Sequence, residues 1–228
     1  LITPDCFALQ EAPLREPEDG EIRVKIAYIS LDPAMRGWVN DVRSYMPPVG
    51  IGEVMRAYAA GTVEASRHPN YKVGDAVQSV LGVQQYAVVR GSGRVIKVDT
   101  AKAPLERWVG GLGMPGWTAY FGLLEVGQPK AGETVVVSAA SGAVGSVVGQ
   151  IAKIKGCRVV GIAGGPEKCA YVKDVLGFDE CIDYKTGDLA GRLQAACPQG
   201  IDVNFENVGG EILDTVLSQM NPFGRVAL

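Results

Sequence analysis

The stretch from Thr134 to Lys168 decides the fold class, and it reads TVVVSAASGAVGSVVGQIAKIKGCRVVGIAGGPEK. Its first run, up to Ser138, is short and β-branched, which is typical of a buried parallel strand. Apolar residues then recur at the spacing of one helix face: Val144, Val147, Val148, Ile151 and Ala152. A glycine at position 156 marks the expected helix end, and a second β-branched run follows from 158 to 163. The order of strand, turn, helix and strand predicts one βαβ unit.

The turn between the first strand and the helix has the spacing G-x-G-x-x-G, with Ala140 in the first position and Gly142 and Gly145 in the others. In a dinucleotide site, the second glycine lets the backbone approach the pyrophosphate, and the third lets helix and strand pack closely. The helix N-terminus adds unpaired N–H groups and the positive end of a dipole. A tight turn in some other α/β fold is the alternative, but the strand before it and the helix after it favour a nucleotide site.

The end of the second strand indicates which nucleotide is bound. An NAD site usually has an acidic residue there, which accepts hydrogen bonds from the ribose hydroxyls. Here the strand ends Ile162-Ala163-Gly164-Gly165, and the next charged residues are Glu167 and Lys168. Without a carboxylate to repel it, a 2′-phosphate would be attracted by Lys168, so the sequence favours NADPH over NADH. A solvated lysine without a ligand is the alternative interpretation of Lys168.

Composition excludes several classes of protein. The 228 residues carry a net charge of −3, which argues against a nucleic-acid binder that relies on a basic surface. No uninterrupted apolar run reaches about 18 residues, so no membrane span is expected, and the start of the chain has no signal peptide. The chain begins at Leu1 and ends at Leu228 within a strand pattern, which predicts that residues are missing at both ends.

The cysteines and the single histidine argue against a metal centre or a hydrolase triad. Five cysteines stand singly, at positions 6, 157, 169, 181 and 197, as expected for reduced thiols in a cytoplasmic protein. With one histidine, His68, and no paired cysteines, a zinc site has too few ligands, so no metal is predicted. A Ser-His-Asp hydrolase would have to use His68 in a loop beside Pro69 and Asn70, which is a poor place for an oriented base.

Residues 1–110 are predicted to form a β-rich domain. Short strands with frequent Gly and Pro turns suggest a small barrel or sandwich, and the strand patterns lie at 21–29, 56–63, 71–77, 85–89 and 94–98. The connection between the first two strands is long, polar and aromatic, and connections of this length are often functional. Tyr45 and the arginines Arg36, Arg43 and Arg56 could line a pocket there, although surface positions are the alternative for the arginines.

Residues 111–228 are predicted to form a second domain, a doubly wound parallel sheet that is cut short at its C-terminus. A helix that starts near Pro115 leads into the βαβ unit. Beyond Lys168, helices are expected at 167–176, 187–196 and 210–219, and strands at 180–184, 201–205 and 224–228. The chain is therefore expected to be an α/β protein of two domains.

Seven motifs together resemble the zinc-free medium-chain dehydrogenase/reductases, in the branch of the prostaglandin, alkenal double-bond and curcumin reductases. They read LDPAMRG (31–37), SYMPP (44–48), GMPGWTAY (113–120), ASGAVG (140–145), GPEKC (165–169), IDYK (182–185) and ENVGG (206–210). The resemblance implies a GroES-like N-terminal domain, a Rossmann domain and a homodimer. It also implies a chain that continues well past Leu228.

The same resemblance implies roles for individual residues. The pyrophosphate would be held by Gly142, Ala143, Val144 and Gly145, and the 2′-phosphate by Lys168 and Tyr184. Met114 and Thr118 would lie near the nicotinamide, Asn207 where the cofactor crosses the fourth strand, and Tyr45 at the substrate pocket. The alternatives are that Tyr184 simply caps a strand and that Asn207 simply makes a turn.

The implied reaction is the reduction by NADPH of the carbon–carbon double bond of a small α,β-unsaturated ketone or aldehyde. Hydride goes to the β-carbon, and the enolate that forms needs a hydrogen-bond donor, either Tyr45 or a ribose hydroxyl of the cofactor. A proton then returns to the α-carbon from water or a hydroxyl. The protein orients the reactants while the cofactor carries the chemistry. Two alternatives stay open, a quinone reductase on the same scaffold and a non-catalytic nucleotide-binding protein.

Overall fold

The computed structural model describes residues 2–228. These residues form two compact units, which divide between Gly110 and Gly111. Each unit has its own cluster of buried apolar side chains. Within residues 2–228, no helix combines the length and the hydrophobicity that crossing a bilayer requires.

The first unit is built on one antiparallel sheet with the strand order β4-β1-β2-β3-β5. The strands are β1 (Glu21–Ile29), β2 (Tyr58–Ser66), β3 (Ala76–Val80), β4 (Tyr86–Arg90) and β5 (Ile96–Lys97). The helical segments are α1 (Met35–Trp38) and 3-10 turns at Pro4–Cys6 and Leu105–Trp108. Alternate residues of these strands, such as Ile22, Val24 and Val63, fill the core of the unit. The predicted β-rich N-terminal domain is confirmed, and its strands form one five-stranded sheet and not the two sheets of a sandwich.

The second unit is built on a sheet of five parallel strands in the order β10-β9-β6-β7-β8. The strands are β6 (Thr134–Val137), β7 (Arg158–Ala163), β8 (Glu180–Asp183), β9 (Ile201–Phe205) and β10 (Met220–Ala227). The helices are α2 (Met114–Phe121), α3 (Ala143–Ile154), α4 (Pro166–Ala170), α5 (Leu189–Ala196) and α6 (Gly210–Leu217). Two π-helical segments follow α2 and α4, at Gly122–Gly127 and Tyr171–Val175, and a 3-10 turn spans Tyr184–Thr186.

Helices cover both faces of the parallel sheet. On one face, Val148 and Ala152 of α3 are buried in a cluster with side chains of β6 and β7. On the other face, Val136 and Val160 pack with Leu193 of α5. Because β6 and β7 are buried on both faces, they read as nearly continuous apolar runs. The doubly wound α/β prediction is therefore confirmed, together with the apolar stripe of α3.

The strand order creates a switch point beside β6. From β6 the chain moves outward to β7 and β8, and it then returns to place β9 and β10 on the opposite side of β6. In open sheets of this kind, ligands bind outside the carboxyl ends of the strands at such a switch point. The loops that follow β6, β7 and β9 therefore define the region in which a site is expected.

Candidate functional site

The turn from β6 into α3 presents unpaired backbone donors. Gly142 donates its N–H to Ala139 O at 2.8 Å, and the next bonded amide is that of Ser146, which donates to Gly142 O at 3.0 Å. The amides between them, those of Ala143, Val144 and Gly145, have no partner within residues 2–228, and no side chain caps α3. Three free N–H groups at the positive end of a twelve-residue helix make this turn a candidate anion-binding site.

The close approach of backbone to backbone in this turn requires glycine at one position. A Cβ on Gly145 would lie 2.5 Å from Ala139 O and 2.9 Å from Ala140 Cα, distances that real contacts do not reach. A Cβ on Gly142 would lie 3.1 Å from Ala139 O, which is tight but less severe. Ala139 itself has φ of +47°, in the left-handed region that glycine adopts more easily. The geometry thus agrees with the packing role predicted for Gly145.

The alanine in the first position of the glycine pattern is accommodated by the neighbouring strand. Ala140 is fully buried, and a Cβ added to Gly161 of β7 would lie 2.8 Å from the Ala140 Cβ. The methyl group of Ala140 therefore occupies the space that a side chain on Gly161 would need. Nothing in the glycine spacing of the turn itself indicates this compensation.

A carboxylate lies beside the end of β7, although none is present in β7 itself. Asp183, at the end of β8, is 8% exposed, and its Oδ1 accepts the N–H groups of Gly165 at 2.9 Å and Lys185 at 3.0 Å. These bonds lower the pKa of Asp183, and the charges of Arg192 and Lys185 lower it further. Sequence reasoning along β7 alone missed this acid, because it comes from the adjacent strand.

Aromatic and cationic side chains also reach the end of β7. A Cβ on Gly164 would lie 2.9 Å from Tyr184 Cε1 and 3.1 Å from Lys185 Cε, so both side chains cover this glycine. Lys168 is exposed in α4, which begins two residues after Gly164. In the part of the chain that the structure describes, neither Lys168 nor Lys185 forms an ion pair. Sequence reasoning named Lys168 and Tyr184 but missed Lys185.

At the switch point, a buried carboxylate joins the ends of β6 and β9. Oε1 of Glu206 accepts the Ser138 hydroxyl at 2.7 Å and the N–H groups of Val208 at 2.6 Å and Gly209 at 2.8 Å. Asn207 donates its backbone N–H to Ser138 Oγ at 2.7 Å and its side-chain Nδ2 to Ser138 O at 2.9 Å. The predicted site residue Asn207 is therefore held against β6 by a network that includes Glu206.

Glu206 is ionised despite its burial. It is 5% exposed and has no cationic partner among the described residues. Burial opposes its ionisation, but the hydrogen bonds from Gly209, Ser138 and Val208 together outweigh burial and lower its pKa. The sequence did not point to Ser138 or Glu206 as site residues, since they are 68 positions apart and meet only through the strand order.

The two remaining predicted residues of the second unit lie one turn apart on α2. Thr118 donates its hydroxyl to Met114 O at 2.9 Å, and both residues are exposed. Val147 of α3 lies near the start of this helix, at 3.9 Å from the position of a Cβ on Gly111. The structure thus leaves both side chains accessible to a ligand.

Tyr45 belongs to the first unit. Its side chain is 76% exposed, and its hydroxyl oxygen lies 3.2 Å from Nε1 of the buried Trp38, which donates to it. The guanidinium of Arg56 lies 5.5 Å from the centre of a Trp38 ring and donates to Pro47 O at 3.0 Å. Arg36 is exposed. Trp38, which the sequence did not single out, therefore positions Tyr45.

Within residues 2–228, no three His, Cys, Asp or Glu side chains lie close enough together to hold a metal ion. All five cysteines are free thiols. Burial raises the pKa of Cys157 and raises that of Cys197 to about 11, so both stay protonated and unreactive near neutral pH.

The fold is that of a doubly wound α/β protein, with a candidate anion site at its switch point. Two family models match the chain: "N-terminal domain of oxidoreductase" over residues 1–98 and "Zinc-binding dehydrogenase" over residues 143–228. The NADPH-dependent curcumin reductase of Escherichia coli is 49% identical over 224 residues, which are 98% of this chain and 64% of that protein. Rat prostaglandin reductase 1 is 42% identical over 229 residues, with 99% and 67% of the two chains covered.

Among solved structures, CurA from Vibrio vulnificus in complex with NADPH is 49% identical, with a TM-score of 0.93. The match covers 98% of this chain and 66% of CurA. The chain belongs to the medium-chain dehydrogenase/reductase family, in the branch that contains the curcumin and prostaglandin reductases. It spans about two thirds of the length of these relatives.

Proposed function

We propose that the protein is an NADPH-dependent reductase of the carbon–carbon double bond of α,β-unsaturated ketones and aldehydes. The observation that carries this proposal is the row of three free N–H groups at the start of α3, at the switch point of the parallel sheet. Two relatives support it, since the Escherichia coli protein is named an NADPH-dependent curcumin reductase and CurA was solved with NADPH.

The residues of the candidate site fit NADPH. The free amides of Ala143, Val144 and Gly145 suit a pyrophosphate, and the absence of a side chain on Gly142 keeps the turn open to it. These four residues are the proposed pyrophosphate site. Met114, Thr118 and Asn207 are the proposed contacts nearer the nicotinamide.

The end of β7 fits a 2′-phosphate. Lys168 and Lys185 are cations without ion-pair partners in residues 2–228, and Tyr184 adds a hydroxyl beside Gly164. Asp183 brings a negative charge to the same region, but its Oδ1 is already bonded to two backbone amides. The two lysines therefore favour a phosphate there, and NADPH over NADH.

Bound NADPH would supply the hydride for the β-carbon of the substrate. The chain's own contribution to the reaction is a hydrogen-bond donor, for which we favour Tyr45. Because the Tyr45 oxygen accepts the N–H of Trp38, its own O–H proton is free to be donated elsewhere. Donation to the carbonyl oxygen would stabilise the negative charge that develops there during reduction. The α-carbon would then take its proton from water or a hydroxyl.

Binding and turnover test this proposal together. NADPH and NADH affinities are measured by fluorescence for the wild-type protein, Lys168→Ala and Lys155→Ala. Lys155 is a matched control, because it is an exposed lysine at the other end of α3. We expect Lys168→Ala to raise the Kd for NADPH roughly tenfold, a loss of about 1.4 kcal/mol, with little change for NADH. Lys155→Ala should leave both affinities unchanged.

Turnover is followed by NADPH absorbance with a panel of enones, enals and quinones. Reduction of enones or enals supports the proposal, and Tyr45→Phe should lower kcat. Activity with quinones alone would favour a quinone reductase, and tight NADPH binding without any turnover would favour a non-catalytic protein. Equal wild-type affinities for NADPH and NADH would contradict the 2′-phosphate site.

A homodimer in the cytoplasm is part of the same proposal. The family resemblance supports the dimer, and five free thiols are compatible with a reducing compartment. Sedimentation velocity should give twice the mass of one chain, and a monomer at micromolar concentration would contradict this part.

A further inference from the structure

Two carboxylates tie the central strands β6 and β9 together, one at each edge of the sheet. At the amino edge, Asp202 Oδ2 accepts the Thr134 N–H at 2.8 Å. At the carboxyl edge, Glu206 Oε1 accepts the Ser138 hydroxyl at 2.7 Å. Thr134 and Ser138 are four residues apart on one side, and Asp202 and Glu206 are four residues apart on the other. The two hydrogen bonds therefore join the same two chain segments at their opposite ends. Only the Glu206 tie lies at the switch point.

The Glu206 tie fixes more than the distance between the strands. An ionised carboxylate can only accept hydrogen bonds, so the Ser138 hydroxyl must donate to Glu206 and accept from the Asn207 N–H. The same carboxylate oxygen accepts the next two amides of the loop. Asn207 Nδ2 is bonded to Ser138 O, while the side-chain oxygen of Asn207 has no partner within residues 2–228. One acceptor atom thus determines how an exposed Asn207 side chain is presented.

We propose that Glu206 is a positioning residue for the dinucleotide, acting through Ser138 and the amides of the β9–α6 loop to hold Asn207 in its binding orientation. This inference rests on the proposed function, because it takes Asn207 to contact NADPH. Glu206 itself is buried, and its carboxylate is saturated by the protein's own donors. It therefore acts on the ligand through Asn207, without touching it.

The buried neighbour Asn204 makes it possible to test the hydrogen-bonding role of Glu206 separately from the role of its charge. Asn204 donates Nδ2 to Glu206 Oε2 at 3.3 Å, and its own Oδ1 is buried without a partner. A glutamine at position 206 can keep its oxygen on the three donors. Its amide nitrogen can then donate to Asn204 Oδ1 once the Asn204 amide rotates. Glu206→Gln should therefore preserve the network without the charge.

The experiment measures NADPH affinity and thermal stability in the same variants, at a temperature well below each Tm. Glu206→Ala removes the acceptor, Glu206→Gln retains it, and Asp202→Ala breaks the equivalent tie at the amino edge. We expect Glu206→Ala and Asp202→Ala both to lower Tm. Glu206→Ala should also raise the Kd for NADPH at least about tenfold. Asp202→Ala and Glu206→Gln should keep Kd within about threefold of the wild type.

Each result decides the question. If Glu206→Ala lowers Tm as Asp202→Ala does but leaves Kd unchanged, Glu206 is only a structural tie and the inference is wrong. If Glu206→Gln weakens binding as much as Glu206→Ala, the charge matters and positioning through the acceptor is also wrong. Should Glu206→Ala fail to fold, Ser138→Ala breaks the same path and the same comparison applies. A wild-type protein that does not bind NADPH would instead refute the proposed function, and this result is seen without any variant.

Discussion

At the scale of single residues, the turn after β6 shows that alanine can take the place of a glycine when the facing residue of the neighbouring strand is itself a glycine. Ala140 stands in the first position of the glycine pattern, and Gly161 faces it from β7. The pair keeps the total side-chain volume at this contact small. The same logic predicts that glycine and alanine can change places between the two positions.

Gly161→Ala should destabilise the protein by about 1–3 kcal/mol, because the new methyl group overpacks the core. It would meet the Ala140 Cβ at 2.8 Å, Val172 Cγ1 at 3.0 Å and Phe178 Cδ2 at 3.2 Å. Adding Ala140→Gly should recover part of this loss, so the double variant should be more stable than additivity predicts by at least about 0.5 kcal/mol. Urea unfolding of the wild type, both single variants and the double variant measures this coupling. Strict additivity would show that the two residues do not compete for space.

The sequence predicted the glycines of the turn but not the role of Gly161. The spacing of Gly142 and Gly145 is local, so it can be recognised along the chain. The contact between Gly161 and Ala140 crosses from one strand to the next and depends on how β6 and β7 align. No pattern within either segment contains that alignment.

At the scale of elements, α3 and its flanking strands follow their sequence patterns closely. The helices after Pro115 and Pro166 do not, since each changes to a π-helical segment after its first turns. In these segments Gln128 N–H bonds to Leu123 O and Leu176 N–H bonds to Tyr171 O, five residues back. A period of 3.6 residues and a slightly longer one cannot be distinguished over five or six residues. The sequence pattern therefore located these helices but not their geometry.

Neighbouring elements also supply residues of the candidate site that were missed. Asp183 is the last residue of β8 and Lys185 follows it, yet they lie beside Gly164 and Gly165 at the end of β7. The sequence contained both residues within a recognised motif. Their place in the site follows only from the pairing of β8 with β7. The strand order is therefore needed before the charges around a phosphate site can be counted.

The loop before α6 is held by a titratable side chain, the carboxylate of Glu206. Glu206 accepts the N–H groups of Val208 and Gly209 just before the helix, and its pKa in the folded protein lies below the ordinary value of 4.5. A carboxyl group with a lowered pKa contributes stability above its unfolded pKa. That stability is lost as the pH falls through the folded value. Glu206 should therefore contribute to acid unfolding.

The matched variant for this prediction is Glu206→Gln, which has no group to titrate at this position. The wild type should be the more stable of the two near neutral pH, and the difference in unfolding free energy should shrink as pH falls below about 4.5. Other carboxylates with lowered pKa, such as Asp183 and Asp179, are common to both proteins and cancel in the comparison. Urea unfolding between about pH 7 and pH 3 gives this difference. A difference that is independent of pH would mean that folding does not lower the pKa of Glu206.

At the scale of the whole molecule, the two units differ in what the sequence could predict about them. Parallel strands joined by helices allow few arrangements, so the sequence predicted a doubly wound sheet for the second unit. Short antiparallel strands can pair in many orders, so the sequence predicted a β-rich first unit but not the order of its strands. The Ser138–Glu206 network could not be predicted from the sequence either, because these two residues come together only when β6 and β9 pair in the sheet.

All strands of the second unit run in the same direction, so its sheet has a carboxyl edge and an amino edge that differ chemically. This difference predicts where a bound ligand should protect the protein. The loops at its carboxyl edge, residues 139–145, 164–168 and 206–210, contain the proposed ligand contacts. The turns at its amino edge, residues 131–133, 155–157 and 198–200, join the same elements but contain none. NADPH at 100 times its Kd should stabilise the bound state by about 2.7 kcal/mol. Amide exchange should therefore slow in the first set of loops and stay unchanged in the second.

Hydrogen exchange followed by mass spectrometry, with and without NADPH, measures both edges in one experiment. The variant Lys168→Ala at the same NADPH concentration is the control, and it should show weaker protection at the carboxyl edge because less protein is bound. If NADPH protects the amino-edge turns as much as the carboxyl-edge loops, the ligand stabilises the whole unit, and the experiment does not locate its binding site. Protection confined to the amino edge would place the ligand outside the switch point. In that case, the free amides of α3 would not be its binding site.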